Sequence, residues 1–303
     1  MPTHQSRRSK RQKSKHRPRV PHPQFSDLLQ WLDGDRFDGT RVSVSSVRAA
    51  TVTPELGRIL AKRGSKSLTI AIESGSERMR EVVNKKLATE EIFAAARYAK
   101  EGGLSGLKLY GMVGLPSEEE ADVEATAELL LALKKATPGL RLSLGVSTFV
   151  PKAHTPFQWQ GVRPEADKRL KLLAKRLKPK GIDLRPESYG WSVIQALLSR
   201  SDRRLAPVIA AARGSHESLG GWKKAYRQVL SEGGSATAPS GPEPSHTADT
   251  QAPPPAWEEI VHATWSQERV LPWGHLQGAV SATALAGHAQ TSLGKSPAHT
   301  DQR

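Results

Sequence analysis

The chain has 303 residues, no cysteine and a formal net charge of +15. Without cysteine, its own residues cannot form a disulfide, a thiolate zinc site, a cysteine nucleophile or a cysteine-ligated iron–sulfur cluster. No apolar run reaches the length of about 18 residues that a transmembrane helix needs, and no apolar segment of a secretory signal follows the basic N-terminus. We therefore expect a cytoplasmic protein that does not associate with membranes.

The N-terminal segment 1–23 is strongly basic. Eight Arg or Lys and no acidic residue fall within residues 1–20, a composition that predicts a disordered tail. One interpretation is an arm that binds RNA by neutralising phosphates. The other is a solvated tail, which is favoured because no aromatic residues are interleaved with the charges, as a single-strand binder would prefer.

Three elements are predicted before the central part of the chain. Apolar residues at helical spacing predict an amphipathic helix over residues 24–33. Residues 41–45 alternate between apolar and polar side chains, which predicts a strand. Thr53 followed by Pro54 predicts the start of a helix that stops at Gly64.

The central part alternates short apolar runs with longer helical patterns. The runs predict strands over 67–72, ending at Glu73, then over 106–113 and 140–149. Between them, a short helix is predicted from Glu77 to Asn84, a longer one from Thr89, and a third over 117–136 that opens on the capping-box pattern Ser117 to Glu120. This order predicts a parallel sheet with crossover helices.

Ligands of parallel sheets bind beyond the carboxyl ends of the strands. In this chain those ends are Glu73-Ser74-Gly75, Gly114-Leu115-Pro116 and Val150-Pro151. These residues are therefore the candidates for a binding site.

The rest of the chain predicts helices, a linker and a tail. Residues 164–178 form a basic amphipathic helix that either faces RNA or, as the favoured interpretation, is an outer helix of the sheet. One more strand is predicted over 181–185, and helices are predicted over 191–198, 203–213 and 219–229. Residues 231–255 have a linker composition. The last segment, 256–303, either docks on the main domain through Trp257, Trp265 and Trp273 or is disordered.

Several ordered motifs resemble one protein family. The run Ile72-Glu-Ser-Gly-Ser-Glu-Arg78, the pair Asn84-Lys85 and the run Val113-Gly-Leu-Pro-Ser-Glu-Glu119 resemble the second half of a radical S-adenosylmethionine (SAM) core domain. The segment Phe149 to Trp159, together with Arg200-Ser-Asp-Arg-Arg204 and Leu271-Pro-Trp273, resembles a subgroup associated with cobalamin-binding domains. The resemblance covers about residues 24–230 and 257–280.

The resemblance implies an α/β fold, a partial (β/α) barrel of about four parallel strands with C-terminal helices and disordered tails. The implied division is a basic tail over 1–23, the partial barrel over 24–187, a helical extension over 188–230, a linker over 231–255 and a C-terminal tail over 256–303. By position in the family, SAM would lie against Glu73, Ser74, Gly114, Leu115, Pro116, Val150 and Pro151. No metal ligand and no catalytic residue is implied.

The decisive departure from the family is the missing cluster motif. The family holds its 4Fe–4S cluster with a Cys-x3-Cys-x2-Cys loop, and this sequence has no cysteine. The prediction is therefore a truncated or split SAM-binding half-barrel, inactive alone, whose cluster ligands come only from a separate chain carrying the N-terminal barrel half. Two alternatives are a non-functional remnant of such a protein and a module that binds RNA or an acidic partner through the basic tail and the basic helix.

Overall fold

The computed structural model describes residues 23–214, 218–233 and 252–294. The predicted basic tail and most of the predicted linker lie outside these residues. Within them, four parallel strands form a single sheet in the order β1-β2-β3-β4. The strands are β1 (Ser67–Glu73), β2 (Gly106–Val113), β3 (Arg141–Thr148) and β4 (Asp183–Pro186). The predicted parallel sheet of about four strands is confirmed.

Helices connect and cover the strands. In the first part of the chain they are α1 (Phe25–Asp33), α2 (Pro54–Lys62), α3 (Glu77–Val82), α4 (Thr89–Glu101) and α5 (Glu120–Ala136). They continue with α6 (Glu165–Leu177), α7 (Tyr189–Arg200), α8 (Ala206–Ala212) and α9 (Leu219–Gly233), and then with α10 (Trp257–Val261) and α11 (Ala282–Ser292). No helix in the described part of the chain is long and apolar enough to cross a membrane.

The sheet has one buried face and one open face. The buried face carries the apolar side chains that pack under the helices: Leu68, Ile70, Leu107, Leu109, Leu142, Leu144 and Val146. Burial of each such side chain contributes roughly 1.5–3 kcal/mol, so this layer is a substantial part of the hydrophobic stabilisation. In-register pairing places Thr69, Lys108 and Ser143 in one row of the opposite face. That row is polar, which is unusual because parallel sheets are normally covered on both sides.

The predicted strand over 41–45 is wrong. These residues have no strand geometry, and the nearby Val47 makes only an isolated parallel bridge to Ile70. The segment nevertheless lies beside the sheet, because Val47 N–H donates a hydrogen bond to Thr69 O at 2.9 Å. The contact is too short to extend the sheet, and β1 remains its edge strand.

The start of α5 was predicted three residues too early. Ser117 adopts a left-handed backbone with φ 60°, which interrupts the helix that the capping pattern suggested. The helix begins at Glu120 instead, and the Asp122 carboxylate accepts a hydrogen bond from Glu119 N–H at 2.8 Å. The capping pattern was present, but it acts two residues later.

The C-terminal segment docks on the rest of the protein. Trp257, Trp265 and Trp273 are all buried. Trp257 packs in a cluster with residues of α7, α8 and α9, and the other two form a second cluster with Trp159. Of the two alternatives for this segment, docking is the one observed for its described residues.

Candidate ligand site at the carboxyl ends of the strands

A cavity of about 1040 Å³ opens at the carboxyl ends of β2 and β3. Met112 comes from β2, and Ser147 and Thr148 come from β3. Opposite walls come from α3, from the loop around Phe157 and from the end of α11 with His288. The lining combines apolar side chains with many polar and charged ones, among them Arg78, Glu81, Lys152 and Glu187.

Two of the candidate residues line this cavity. Leu115 and Val150 belong to its walls. Glu73, Ser74, Gly114, Pro116 and Pro151 lie outside the lining, although all of them follow the carboxyl ends of β1, β2 or β3. The structure therefore brings the three strand ends to the same edge of the sheet and places only part of the candidate set on the cavity.

Glu73 ends β1 in an unusual conformation. Its φ is 64°, and the pairing of β1 with β2 shifts register between Ala71 and Glu73. Such a bulge re-aims the side chain. The Glu73 carboxylate lies 2.7 Å from Lys85 Nζ, and both side chains are partly exposed. An ion pair therefore occupies the carboxylate that the motif suggested for a cofactor.

The turn after Glu73 is held by contacts within the protein. Gly75 approaches α5 so closely that a Cβ atom there would lie 2.3 Å from Thr126 Cα. Arg80, which is 1% exposed, donates hydrogen bonds to the carbonyls of Ser74 and Gly75 at 3.0 and 2.9 Å. Burial lowers the pKa of this guanidinium. The turn is rigid because a buried cation satisfies its carbonyls.

The Gly114-Leu-Pro loop is tied to α6 by a buried ion pair. Glu118 is 2% exposed, and its carboxylate accepts from Gly114 N–H at 2.7 Å and from Arg169 Nη1 at 2.8 Å. Burial raises the pKa of Glu118 to about 7, and the two donors oppose that rise. A Cβ atom on Gly114 would lie 3.0 Å from Ala166 Cβ, so the glycine permits close approach of this loop to α6.

A second polar network borders the cavity. Arg78 lines the cavity and pairs with the buried Asp122, which also accepts from Ser76 Oγ at 2.6 Å. Burial opposes the effect, but the hydrogen bonds from Arg78 and Ser76 lower the pKa of Asp122. Sequence reasoning missed both residues, although Arg78 lies within the motif that carried the resemblance.

The C-terminal segment is fastened by one buried arginine. Arg200 donates to the carbonyls of Ile260, Val261 and Ala263 at 2.5, 3.1 and 2.9 Å. Its guanidinium carbon lies 3.9 Å from the ring centroid of Trp265. Burial lowers the pKa of Arg200 to about 10. This contact anchors the start of the C-terminal segment, and α11 near the end of that segment lines the cavity.

The basic helix α6 is an outer helix of the sheet. Its buried residues, among them Leu170 and Leu173, belong to the main core. On its outer side, Lys171 pairs with Asp167 at 2.5 Å and Arg176 pairs with Glu124 at 3.0 Å. Part of its positive charge is therefore neutralised within the protein.

Metal ligands are not grouped in the described residues, where no cluster of three or more His, Asp or Glu side chains could hold an ion. The ten histidines of the sequence include one, His288, on the cavity wall.

Parts of the chain are similar to known proteins. Residues 23–130 match the family model described as the radical SAM superfamily. An uncharacterized protein of Methanocaldococcus jannaschii is 34% identical over 198 residues, which cover 65% of this chain and 43% of that protein. The chain thus spans less than half the length of this curated relative.

Proposed function

Because residues 23–130 carry a radical SAM superfamily domain, we propose that this chain supplies the SAM-binding half of a radical SAM site. Its 4Fe–4S ligands would come from outside these 303 residues. The observation that carries the proposal is the cavity at the carboxyl ends of β2 and β3, bordered by Leu115 and Val150. The superfamily implies SAM and usually a 4Fe–4S cluster.

The residues of the cavity fit SAM. Its volume of about 1040 Å³ is ample for a ligand of this size. Val83, Phe149 and Phe157 offer an apolar surface for the adenine, and the carboxylates of Glu81 and Glu187 suit the ammonium group of the methionine part. When bound with a cluster, SAM would supply the radical chemistry of the superfamily. The residues of this chain would bind and orient it.

The residues do not fit a 4Fe–4S cluster. Such clusters are held by cysteine thiolates, and the sequence contains no cysteine. No catalytic step is therefore assigned to this chain alone, and we propose that it is inactive without a partner.

The proposed partner is a separate chain that carries the N-terminal barrel half. Its docking place would be the edge of β1, where, among the described residues, only Val47 makes a bridge. Unpaired strand edges are templates for further strands. Val44, which is exposed and lies three residues before Val47, would add an apolar contact there. We propose the cytoplasm as the compartment, because the sequence has no cysteine and therefore no disulfide that would point to an oxidising compartment.

Calorimetric titration of the purified chain with SAM and with S-adenosylhomocysteine tests the proposal. We expect both to bind. Ser147→Trp should fill the cavity and weaken binding at least tenfold, whereas Ser143→Trp, four residues earlier on the same face of β3, should not. Failure of both ligands to bind the wild-type chain at millimolar concentration would refute the SAM half-site.

The partner is tested by reconstitution with iron and sulfide. The chain alone should develop no 4Fe–4S absorbance. Co-expression with a chain that carries a Cys-x3-Cys-x2-Cys loop should give a 1:1 complex with that absorbance. A lack of any complex would remove the split arrangement and leave SAM binding to stand by itself.

The alternative function, binding of RNA or an acidic partner, stays a prediction. It depends on residues 1–20, which the structure does not describe, and on α6, whose charges are partly paired. Affinity for RNA that falls steeply with salt and weakens on deletion of residues 1–20 would favour it. Absent or salt-insensitive binding would remove it.

A further inference from the structure

One aromatic side chain stands on the open face of the sheet. Tyr110 is 51% exposed, although it lies in the middle of β2, one of the two central strands. No residue in the described ranges hydrogen-bonds to its hydroxyl or stacks on its ring. An exposed tyrosine at the centre of a parallel sheet requires an explanation, because such positions are normally packed.

The ring of Tyr110 lies against a glycine of the neighbouring strand. Gly145 is its in-register partner on β3, and a Cβ atom there would lie 2.6 Å from two ring carbons of Tyr110. The ring therefore rests on the bare backbone of β3. The register neighbour on the other side is Ala71, so small residues flank the ring on both adjacent strands. The surroundings leave its outer surface free for a planar group.

Positive charge lies beside this ring. Lys108 precedes Tyr110 by two residues on the same face of β2, is exposed and has no partner among the described residues. Arg185 is the in-register neighbour of Gly145 on β4. Its Nε pairs with Asp183 at 2.7 Å. Asp183 belongs to the row of Lys108 and is the one carboxylate in the rows of Lys108 and Tyr110. One cation is thus free and the other is partly engaged, which favours an anionic ligand.

The face with Tyr110 continues into the cavity. Met112 and Ser147 line the cavity and lie two residues beyond Tyr110 and Gly145 on the same strands. Two residues of a strand span about 7 Å. A ligand on Tyr110 would therefore lie one row away from a ligand in the cavity, close enough for the two to meet.

We propose that Tyr110, lying on Gly145 and flanked by Lys108 and Arg185, is the floor of a second ligand site. The site takes a planar ring that carries one carboxylate or phosphate group. The ring stacks on Tyr110, and the anion pairs with Lys108 and the Arg185 guanidinium. Its place beside the cavity makes this ligand the substrate of the SAM-dependent reaction, an assignment that rests on the proposed function.

Two probes distinguish the possible sources of such a ligand. Uridine 5′-monophosphate represents a nucleotide, and indole-3-acetate represents an aromatic carboxylate. Each is titrated into the full chain in the presence of saturating S-adenosylhomocysteine, so that the cavity is not available to the probe. We expect at least one probe to bind, and uridine, which lacks the phosphate, to bind more weakly than its monophosphate.

Variants separate the ring from the charge. Loss of one stacking contact typically costs a factor of about 5 or more, so Tyr110→Leu should weaken binding at least that much while Tyr110→Phe retains it. Gly145→Ala should also weaken binding, because the added Cβ atom would displace the Tyr110 ring although the tyrosine itself is retained. Lys108→Gln should weaken binding, whereas Lys168→Gln, on the outside of α6, should not. Circular dichroism confirms that each variant is folded.

The results separate this inference from the proposed function. If S-adenosylhomocysteine binds and neither probe does, or if Tyr110→Leu and Lys108→Gln bind the probes as tightly as the wild type, the second site is refuted. If a probe binds with the expected dependence on Tyr110 but SAM and its analogue do not, the second site stands and the proposed function fails.

Discussion

Replacement of Arg200 by Met should release the C-terminal segment from the protein. Methionine has a similar length and keeps the apolar part of the packing, but it cannot donate hydrogen bonds. Three backbone carbonyls, of Ile260, Val261 and Ala263, would then lose their donor in a buried place. The side chain is 1% exposed, so water cannot readily replace it.

The size of the effect follows from two opposing terms. Hydrogen bonds from a charged group are worth about 1.5–3 kcal/mol each, so three contribute about 5–9 kcal/mol. Burial of the guanidinium works against this, because it lowers the pKa of Arg200 to about 10, a shift that corresponds to about 3 kcal/mol. We therefore expect the variant to lose about 2–6 kcal/mol of the free energy of docking.

Hydrogen exchange measured by mass spectrometry tests this prediction locally. In Arg200→Met, peptides that contain α10 and α11 should exchange faster, while peptides of β1 to β3 should exchange as in the wild type. The matched control is Arg227→Met, an exposed arginine of α9, which should change neither. Unchanged exchange over residues 257–292 in Arg200→Met would refute the reasoning, because the three carbonyls would then not depend on the guanidinium.

Three further perturbations probe the loops at the strand ends. Gly75→Ala should lower the free energy of unfolding by more than about 3 kcal/mol, and Tm with it, because the new Cβ atom would collide with the backbone of α5. The pKa of Glu118 is raised to about 7 by burial. Its stabilising contribution is therefore complete below about pH 4.5 and is lost as pH rises through 7, so Tm should fall over that range less in Glu118→Gln than in the wild type. Lys85→Met should leave the Glu73 carboxylate without its cation. Because the ion pair is partly exposed, thermal unfolding should show a change of less than about 1 kcal/mol in the free energy of unfolding.

Each of these has a control within the chain. Gly287→Ala, where nothing lies within 4 Å of the added atom, should be neutral or slightly stabilising. Glu128→Gln, on the exposed side of α5, should show the same pH dependence as the wild type. An equal loss of Tm in Gly75→Ala and Gly287→Ala would contradict the close-approach argument, and identical pH profiles for Glu118→Gln and the wild type would contradict the linkage argument. A loss of several kcal/mol in Lys85→Met would show that its ion pair is far stronger than its exposure indicates.

The strands were predictable because turn residues next to each apolar run mark where the strand begins and ends. The apolar run of β2 is bounded by Gly106 and Gly114, and the predicted strand matches the observed one. The run over 41–45 has a similar pattern but failed, because a strand needs a partner with matching register and only Val47 reaches β1. Periodicity indicates a potential for pairing, while tertiary structure decides whether pairing occurs.

The buried arginines could not be predicted. Arg80 and Arg200 satisfy carbonyls that lie close to them only after folding, and for Arg200 these lie about 60 residues away. An arginine in a sequence is normally read as a surface residue. The wall that α11 contributes to the cavity was equally hidden, because nothing in its sequence indicates which part of the protein it contacts.

The position of α11 has a consequence for the order of events during synthesis. Phe149 and the strand ends leave the ribosome long before residues 282–292 are made. All four strands are therefore synthesised before the helix that forms this wall of the cavity. The cavity is complete only when the C-terminal segment has been made and has docked through Arg200.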